Sequence, residues 1–193
     1  LAFGRQSRFK IISISATAFI ELFRNTPFMI QVFLLFYVLP FYGIRIPADI
    51  VGIIGLALFG SVYYAEIIRA GIDAIPRGQL ESARSIGMSH WQSMTNIVLP
   101  QTMRIILPPI GNQTLSLVKE SSILSTITVQ ELTMSALIVQ GQTFRPFEVF
   151  IVITLLYWGV NELIATGLRI YERRLKRQSR LVLAGTLSNE KAS

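Results

Sequence analysis

Gly78-Gln-Leu-Glu-Ser-Ala-Arg-Ser-Ile-Gly87, followed by Ile97-Val-Leu-Pro100, is a polar segment between apolar runs that are long enough to cross a bilayer. It predicts a helix from about Gly78 to Ile86 that ends at Gly87, a residue suited to the left-handed position at a helix end. Ser89-His-Trp-Gln92 has the spacing of a capping box and predicts a second helix that ends near Pro100. Such a helix-turn-helix between membrane spans indicates a docking element.

The composition is that of a membrane protein. Hydrophobic residues make up 51% of the 193-residue chain and charged residues only 15%, and the mean hydropathy is +0.52. A soluble domain has too little interior to bury so much apolar surface. The sequence therefore predicts an all-α membrane protein.

Three runs with few or no charges predict membrane-spanning helices. Residues 25–44 form 20 positions without a charge, which as a helix is roughly the 30 Å of a hydrocarbon core. Residues 50–65 are also uncharged and reach spanning length if Glu66 lies at the inner interface. Residues 149–168 are interrupted only by Glu162.

The basic residues orient these spans. Arg5, Arg8 and Lys10 precede the first span, and residues 169–180 hold six basic residues against one glutamate, which accounts for +5 of the net charge of +7. Basic flanks favour the cytoplasmic side. Because the surplus lies in this one tail and no basic patch interleaved with aromatic residues occurs elsewhere, nucleic-acid binding is not expected.

The orientation requires one more crossing, between about residues 99 and 118. Its prolines, Pro100, Pro108 and Pro109, together with Gly111, predict that it is kinked or opened. The spacing in Thr128-Val-Gln-Glu131 predicts a capping box and a helix of about a dozen residues that stops at Gly141, which is too short to span. Residues 11–23 are predicted to form a helix at the inner interface.

Several motifs resemble one transporter family. The pattern Glu81-Ser82-Ala83, three residues, Gly87, nine residues, then Ile97-x-Leu99-Pro100 is similar to the cytoplasmic "EAA" signature of ATP-binding-cassette (ABC) importer permeases, with Ser82 in place of the usual alanine. Further stretches resemble the polar amino-acid branch of that family: Glu21-Leu-Phe-Arg-Asn-Thr-Pro27, Tyr64-Ala-Glu-Ile-Ile-Arg-Ala-Gly71, Leu99-Pro-Gln101, Lys119-Glu-Ser-Ser122 and Glu131-Leu132.

This resemblance implies a MetI-like permease core of about five membrane-spanning helices, of which the first is largely missing from this sequence. It implies a cytosolic ABC ATPase subunit, a second identical or related permease and a periplasmic or surface-anchored amino-acid-binding protein as partners. It also implies a multi-pass location in a bacterial inner (cytoplasmic) membrane. The expected ATPase-coupling residues are Gln79, Leu80, Glu81, Ser82, Ala83, Arg84, Ser85, Ile86, Gly87 and Met88, with the stripe of Leu80, Ala83 and Gly87 left free for the partner.

Charged residues inside the predicted spans have two interpretations. Lys119, Glu120, Ser121, Ser122 and Glu162 are candidates to line a route for a polar amino acid, because charges within a membrane tend to mark pathways. Lys119 and Glu120 are equally compatible with an ion pair at the membrane boundary. Glu162 faces either a permease partner or a cavity.

Other functions remain as alternatives. An ion-coupled secondary carrier also accounts for a broken crossing and for Glu162, and a membrane scaffold also accounts for the docking element. Catalysis is not expected, because the chain has one histidine, no cysteine and no phosphate-binding G-x-x-x-x-G-K-[ST] loop. No cofactor or metal site is predicted, and ATP hydrolysis is assigned to the partner subunit.

We expect one transmembrane domain over residues 1–177, with the coupling loop at about 69–100. Residues 178–193 are expected to be a disordered cytoplasmic tail.

Overall fold

The computed structural model describes the backbone of residues 10–190 and the side-chain surroundings of residues 10–174. The helices are α1 (Lys10–Arg24), α2 (Phe28–Phe33), α3 (Ala48–Asp73), α4 (Arg77–Ser85), α5 (His90–Ser93), α6 (Leu99–Glu120), α7 (Leu132–Thr143) and α8 (Pro146–Glu190). Other helical turns extend α2 (Leu34–Val38 and Leu39–Tyr42), join α5 to α6 (Met94–Val98) and follow α6 (Ser121–Ile127). The prediction of an all-α chain is confirmed.

Within the described part of the chain, two helices are long and apolar enough to cross a membrane alone, namely α3 and residues Pro146–Arg174 of α8. They contain the predicted spans at 50–65 and 149–168. Two more spans are present if each bent helix pair counts as one: α1 with Phe28–Tyr42, bent by 106°, and His90–Ile127 with α7, bent by 50°. The span predicted at 25–44 is helical only over Phe28–Tyr42, because Pro27 and Gly43 bound it.

Gln31 holds the sharp bend between α1 and α2. Pro27 adopts an extended backbone (φ −59°, ψ 139°) just before α2, so α1 cannot continue into it. The Gln31 side-chain amide donates to the carbonyl oxygens of Phe23 at 2.8 Å and Thr26 at 3.0 Å. It thus satisfies carbonyls that the end of α1 leaves without a helical partner.

The core lies where α2, α3 and Ser121–Ile127 meet. Its buried cluster consists of Phe28, Val32, Val51, Phe59, Leu124 and Ile127. Glycines of α3 let these elements approach: a Cβ atom on Gly52 would lie 2.9 Å from Leu124 Cδ1, and one on Gly55 would lie 3.2 Å from Val32 Cγ2. Close approach at small residues is a common way to pack helices in membranes.

α6 is continuous through Pro108 and Pro109, so the prediction that this crossing is opened is wrong. The φ angle of proline fits a helix, and membrane helices tolerate the lost donors where neighbours pack against them. Gly111 serves a contact instead, because a Cβ atom there would lie 3.1 Å from Leu168 Cδ1 of α8. The helix that begins at His90 does not end near Pro100, since the turn Met94–Val98 leads directly into α6.

The helical path changes after α6. Ser121–Ile127 is a 3₁₀ segment in which hydroxyl groups donate to the carbonyl oxygen three residues earlier, at Ser121, Ser122, Ser125 and Thr126. The predicted capping box at Thr128 is wrong, because Thr128 has a φ of +67° and its hydroxyl donates to the Ile127 carbonyl. Glu131 caps α7 instead.

The last two helices, α7 and α8, have bounds that the sequence predicted only in part. α7 has 12 residues, as predicted, but ends at Thr143 and not at Gly141. The backbone of α8 continues to Glu190, and the disorder expected of residues 178–193 stays a prediction. Residues 1–9, including Arg5 and Arg8, and residues 191–193 lie outside the described residues.

Candidate functional site

The coupling segment, Gln79–Met88, forms most of α4 and the turn that ends it. The turn is a Schellman motif: the Met88 N–H donates to the Ala83 carbonyl at 3.1 Å, and the Gly87 N–H donates to the Arg84 carbonyl at 3.0 Å. Gly87 has a φ of +81°. The predicted left-handed position at Gly87 is confirmed.

The chain then enters α5 through the predicted capping box. The Ser89 N–H donates to Gln92 Oε1 at 2.8 Å, and the Gln92 N–H donates to Ser89 Oγ at 3.2 Å. The Schellman motif and the capping box follow each other directly, and α4 packs on α5 and on Met94–Val98. The segment is therefore a stiff projection at one end of α3 and α6.

The face of α4 that was expected to be free is partly covered by the chain itself. Ala83 is only 2% exposed, and Leu80 on the same stripe is half-buried. Gly87, the third residue of the predicted stripe, is exposed, so the chain covers the Leu80 and Ala83 part of the stripe and leaves Gly87 open. Helical periodicity identifies a face, but it does not say which of two neighbours covers that face.

The opposite face of α4 is free. Gly78, Glu81, Ser82 and Ser85 follow the i, i+3, i+4, i+7 spacing of one stripe, and all four are exposed. A Cβ atom added to Gly78 would meet nothing within 4 Å. The outer surface of α4 thus has small side chains around one carboxylate, and we call it the outer α4 face.

Two large apolar side chains of the same loop are exposed. Ile86 is 77% exposed and Trp91 is 75% exposed, although both belong to ordered helical turns. Large exposed apolar groups on a structured projection are typical of an interaction surface. The sequence position of Trp91 gives no sign that its side chain is uncovered.

Glu81 and Arg84 have the i, i+3 spacing of a possible ion pair within α4. Both are exposed. Among the side chains described, residues 10–174, the ion pairs are Arg69 with Glu66, Arg69 with Asp73 and Arg169 with Glu162. Glu81 and Arg84 do not pair with each other.

The structure brings two of the five candidate path residues together. Lys119 of α6 and Glu162 of α8 line one cavity of about 340 Å³, along with Tyr157 and Asn161. Asn161 Oδ1 is buried there and has no hydrogen-bond partner. Glu162 also accepts hydrogen bonds from Arg169 and Thr166 of its own helix.

The other three candidates do not line this cavity, although the Ser121 side chain lies against Tyr157, which does. Glu120 ends α6, and no ion pair joins it to Lys119 within residues 10–174. The hydroxyl of Ser121 donates to the Val118 carbonyl at 2.7 Å, and that of Ser122 donates to the Lys119 carbonyl at 2.7 Å. Their observed role is therefore to stabilise the 3₁₀ turn.

A second, more polar cavity of about 370 Å³ lies between α1, α3 and α6 and was missed in the sequence. Its polar lining comprises Arg24, Tyr63, Glu66, Asn112, Gln113 and Ser116. Asn112, Ser116 and Lys119 recur at i, i+4 and i+7 along α6, so they share one stripe that meets both cavities. That spacing was the available signal.

Comparisons with known proteins agree with this architecture. The model of the family "Binding-protein-dependent transport system inner membrane component" matches residues 1–177. A protein of Bacillus subtilis (strain 168) named "Probable amino-acid ABC transporter permease protein YckA" is 36% identical over 174 residues, which cover 90% of this chain and 77% of that protein. The "Probable glutamine ABC transporter permease protein GlnM" of the same organism is 37% identical over 177 residues, which cover 92% and 82%.

A solved structure, "Crystal structure of an amino acid ABC transporter with histidines", has a chain with a TM-score of 0.85 at 40% identity, covering 90% of this chain and 81% of that one. These matches support an importer permease and not the alternative of an ion-coupled secondary carrier. With its membrane-spanning helices and stiff polar loop, the chain belongs to the binding-protein-dependent transport system inner membrane component family, as the transmembrane permease subunit of an amino-acid ABC importer.

Proposed function

We propose that this subunit conducts polar amino acids across the bacterial inner (cytoplasmic) membrane and is driven through α4 by a cytosolic ABC ATPase subunit. The observation that carries the proposal is the outer α4 face, which is exposed on a segment stiffened by the Schellman motif and the capping box. Force applied to such a segment reaches α3 and α6 without being lost in a flexible loop. The chain has no phosphate-binding loop, so the partner hydrolyses ATP.

The outer α4 face suits a close contact with the ATPase. Gly78, Ser82 and Ser85 have small side chains, so a groove on the partner can approach the helix backbone. Ile86 and Trp91 of the same loop supply exposed apolar area, and apolar anchors near the centre of an interface carry most of its binding free energy. Of the predicted coupling residues, Leu80 and Ala83 contribute indirectly, because they pack on the rest of the chain and so hold α4 in position.

The polar stripe of α6 is the proposed substrate path. Asn112, Ser116 and Lys119 lie on it, and the two cavities beside it add Arg24, Glu66, Asn161 and Glu162. Each cavity contains both a cation and a carboxylate. Paired opposite charges of this kind fit a zwitterionic amino acid, and charged groups inside a span mark pathways. Glu120, Ser121 and Ser122 stay in the proposal on the sequence alone.

The proposed partners include a second permease, identical or related, and an extracytoplasmic amino-acid-binding protein. In the described part of α8, only 6% of its most apolar window is buried, against 39% for α3. A helix with so little of its surface buried by its own chain needs lipid or a second permease along it. The polar class of substrate is supported by relatives named for glutamine and nopaline transport.

Substitution of Ser82 by Trp tests the coupling proposal. Ser82 is exposed, so the permease should fold and insert normally, while the bulky ring blocks the close approach of the ATPase. We expect co-purification of the ATPase subunit to weaken by at least about tenfold, which is ~1.4 kcal/mol. ATP-driven amino-acid uptake by reconstituted vesicles should fall with it.

Gly141→Trp is the matched control, because a Cβ atom there also meets nothing within 4 Å but the residue lies on α7, away from the coupling loop. It should retain the ATPase subunit. Full ATPase binding and uptake by the Ser82→Trp protein would refute the assignment of the outer α4 face.

A further inference from the structure

The short helix α7 is poorly packed for an element of a membrane domain. Its apolar residues are spread around its whole circumference, and none of its residues is buried. The gap between α7 and α8 is a cavity of about 320 Å³. Its surface is almost wholly apolar; Val139 and Val152 line it, and Ser135 lies at the same gap. Side-chain packing therefore does little to keep α7 against α8.

A polar cluster joins the two helices at the start of α7. The Glu131 carboxylate accepts hydrogen bonds from the backbone N–H groups of Thr133 at 2.8 Å and Met134 at 2.7 Å. It also accepts one from the Tyr157 hydroxyl of α8 at 3.0 Å. The Thr133 hydroxyl lies 2.9 Å from the same Tyr157 oxygen.

The direction of these bonds is determined by Glu131. An ionised carboxylate only accepts, so the Tyr157 O–H points to Glu131 and the Thr133 O–H then donates to the tyrosine oxygen. Bonds to an ionised group are stronger than neutral ones, and the amino end of a helix favours negative charge. One carboxylate thus caps α7 and ties it to α8 at the same time.

On the other side of Glu131 the chain has different packing neighbours. Val129 packs on the core cluster of α2 and α3, and Thr128 before it has a φ of +67°. The helix axis bends by 50° between His90–Ile127 and α7. The chain therefore passes from the α2–α3 core to α8 within Gln130 and Glu131.

We propose that Glu131 is a positioning residue that clamps α7 to α8, so that the two helices of this hairpin keep their relative positions and move together during the transport cycle. The inference rests on the proposed function, because it concerns motion during ATP-driven uptake. The turn between Thr143 and Pro146 joins the hairpin at one end, and the Glu131–Thr133–Tyr157 cluster joins it at the other.

A cross-link tests the common motion of α7 and α8. The chain has no cysteine, so Ser135→Cys with Val152→Cys, which line the same gap, can be joined by a bifunctional maleimide in the assembled transporter. Electrophoresis separates links within one chain from links between permeases. We expect the linked protein to keep the uptake rate of the unlinked one. Loss of uptake with ATP hydrolysis preserved would overturn the proposal, because it would show that the two helices must separate.

Tyr157→Phe tests the clamp itself, since it removes the hydroxyl that bonds to Glu131 and to Thr133 and leaves the cap of α7 intact. We expect about a tenfold loss of uptake per ATP hydrolysed, the scale of one bond to a charged group, with ATP hydrolysis retained. Glu131→Gln should lose at least as much, because one amide oxygen cannot replace two carboxylate oxygens. Tyr171→Phe on the same helix is the control.

An unchanged ratio of uptake to hydrolysis in Tyr157→Phe would refute the clamp. All these variants should bind the ATPase subunit normally, because the coupling loop is untouched. A failure of the proposed function would instead appear as normal ATPase binding by Ser82→Trp, so the two ideas fail in separate experiments.

Discussion

At the scale of single residues, two glycines show how one residue type serves opposite purposes. Gly71 of α3 lies against α6, where an added Cβ atom would collide with Ile106 Cγ2 and lie 3.2 Å from Thr102 Cγ2. Gly78 of α4 has open space around it. Gly71 is therefore needed by the chain's own packing, whereas the small size of Gly78 matters only to a partner.

Gly71→Ala should destabilise the purified permease by about 1–3 kcal/mol, the usual cost of overpacking a close contact. Ile106 is only 4% exposed and has little room to move aside. Gly78→Ala should leave stability unchanged or raise it slightly, since alanine favours helix. Thermal unfolding in detergent measures both. A Gly71→Ala protein as stable as the parent would show that Ile106 can move aside and that the close contact is not required.

At the scale of elements, helix ends follow local rules while helix interiors do not. The ends of α4 and α5 are set by the backbone freedom of Gly87 and by the Ser89–Gln92 box. α6 instead continues through Pro108 and Pro109, because packing against α3 and α8 stabilises the whole helix. A residue that favours the end of a helix actually ends it only where tertiary contacts do not stabilise the helix beyond that residue.

Gly87→Ala should destabilise the turn after α4 by about 1–2 kcal/mol, because a side chain is disfavoured at a φ of +81°. The less stable turn should weaken coupling to the ATPase. Gly87→Asn should cost less, since asparagine tolerates the left-handed region. No atom lies within 4 Å of the added Cβ, so backbone strain is the only source of the effect. ATP-driven uptake in vesicles should rank Gly, then Asn, then Ala; equal rates for all three would contradict it.

At the scale of the whole molecule, the two loops that flank α3 lie at opposite ends of that helix. α4 and the turn before α5 lie at the carboxyl end of α3, and the turn after Tyr42 lies at its amino end. On the basis of the positive-inside rule we propose that the coupling loop lies in the cytoplasm. In the same proposal, the part of α8 that its own chain leaves uncovered faces lipid or a second permease within the membrane.

Single cysteines can check this orientation, because the chain has none of its own. Ser85→Cys should react with a membrane-impermeant maleimide only in inside-out vesicles. Tyr42→Cys, at a position that is 78% exposed, should react only in right-side-out vesicles. Labelling of Ser85→Cys from the outside would remove the basis for ATPase docking.

Prediction from sequence succeeded where the cause was local. The Ser89–Gln92 capping box, the left-handed Gly87 and the apolar length of α3 each depend on a few neighbouring residues. It failed for Thr128, where the 3₁₀ turn before it removed the helical start. It also failed for Ala83, because a small residue on a stripe fits the chain's own packing as well as a partner.

The sequence alone determined that the chain is helical, where its spans lie and which loop carries the coupling signature, because apolar length, charge and motif spacing are properties of neighbouring residues. Only the tertiary structure decided that Ala83 turns inward and Ser82 outward, that Lys119 and Glu162 share a cavity, and that Glu131 joins α7 to Tyr157. Those facts depend on how distant helices pack, and a face or a charge acquires its role only from what lies against it.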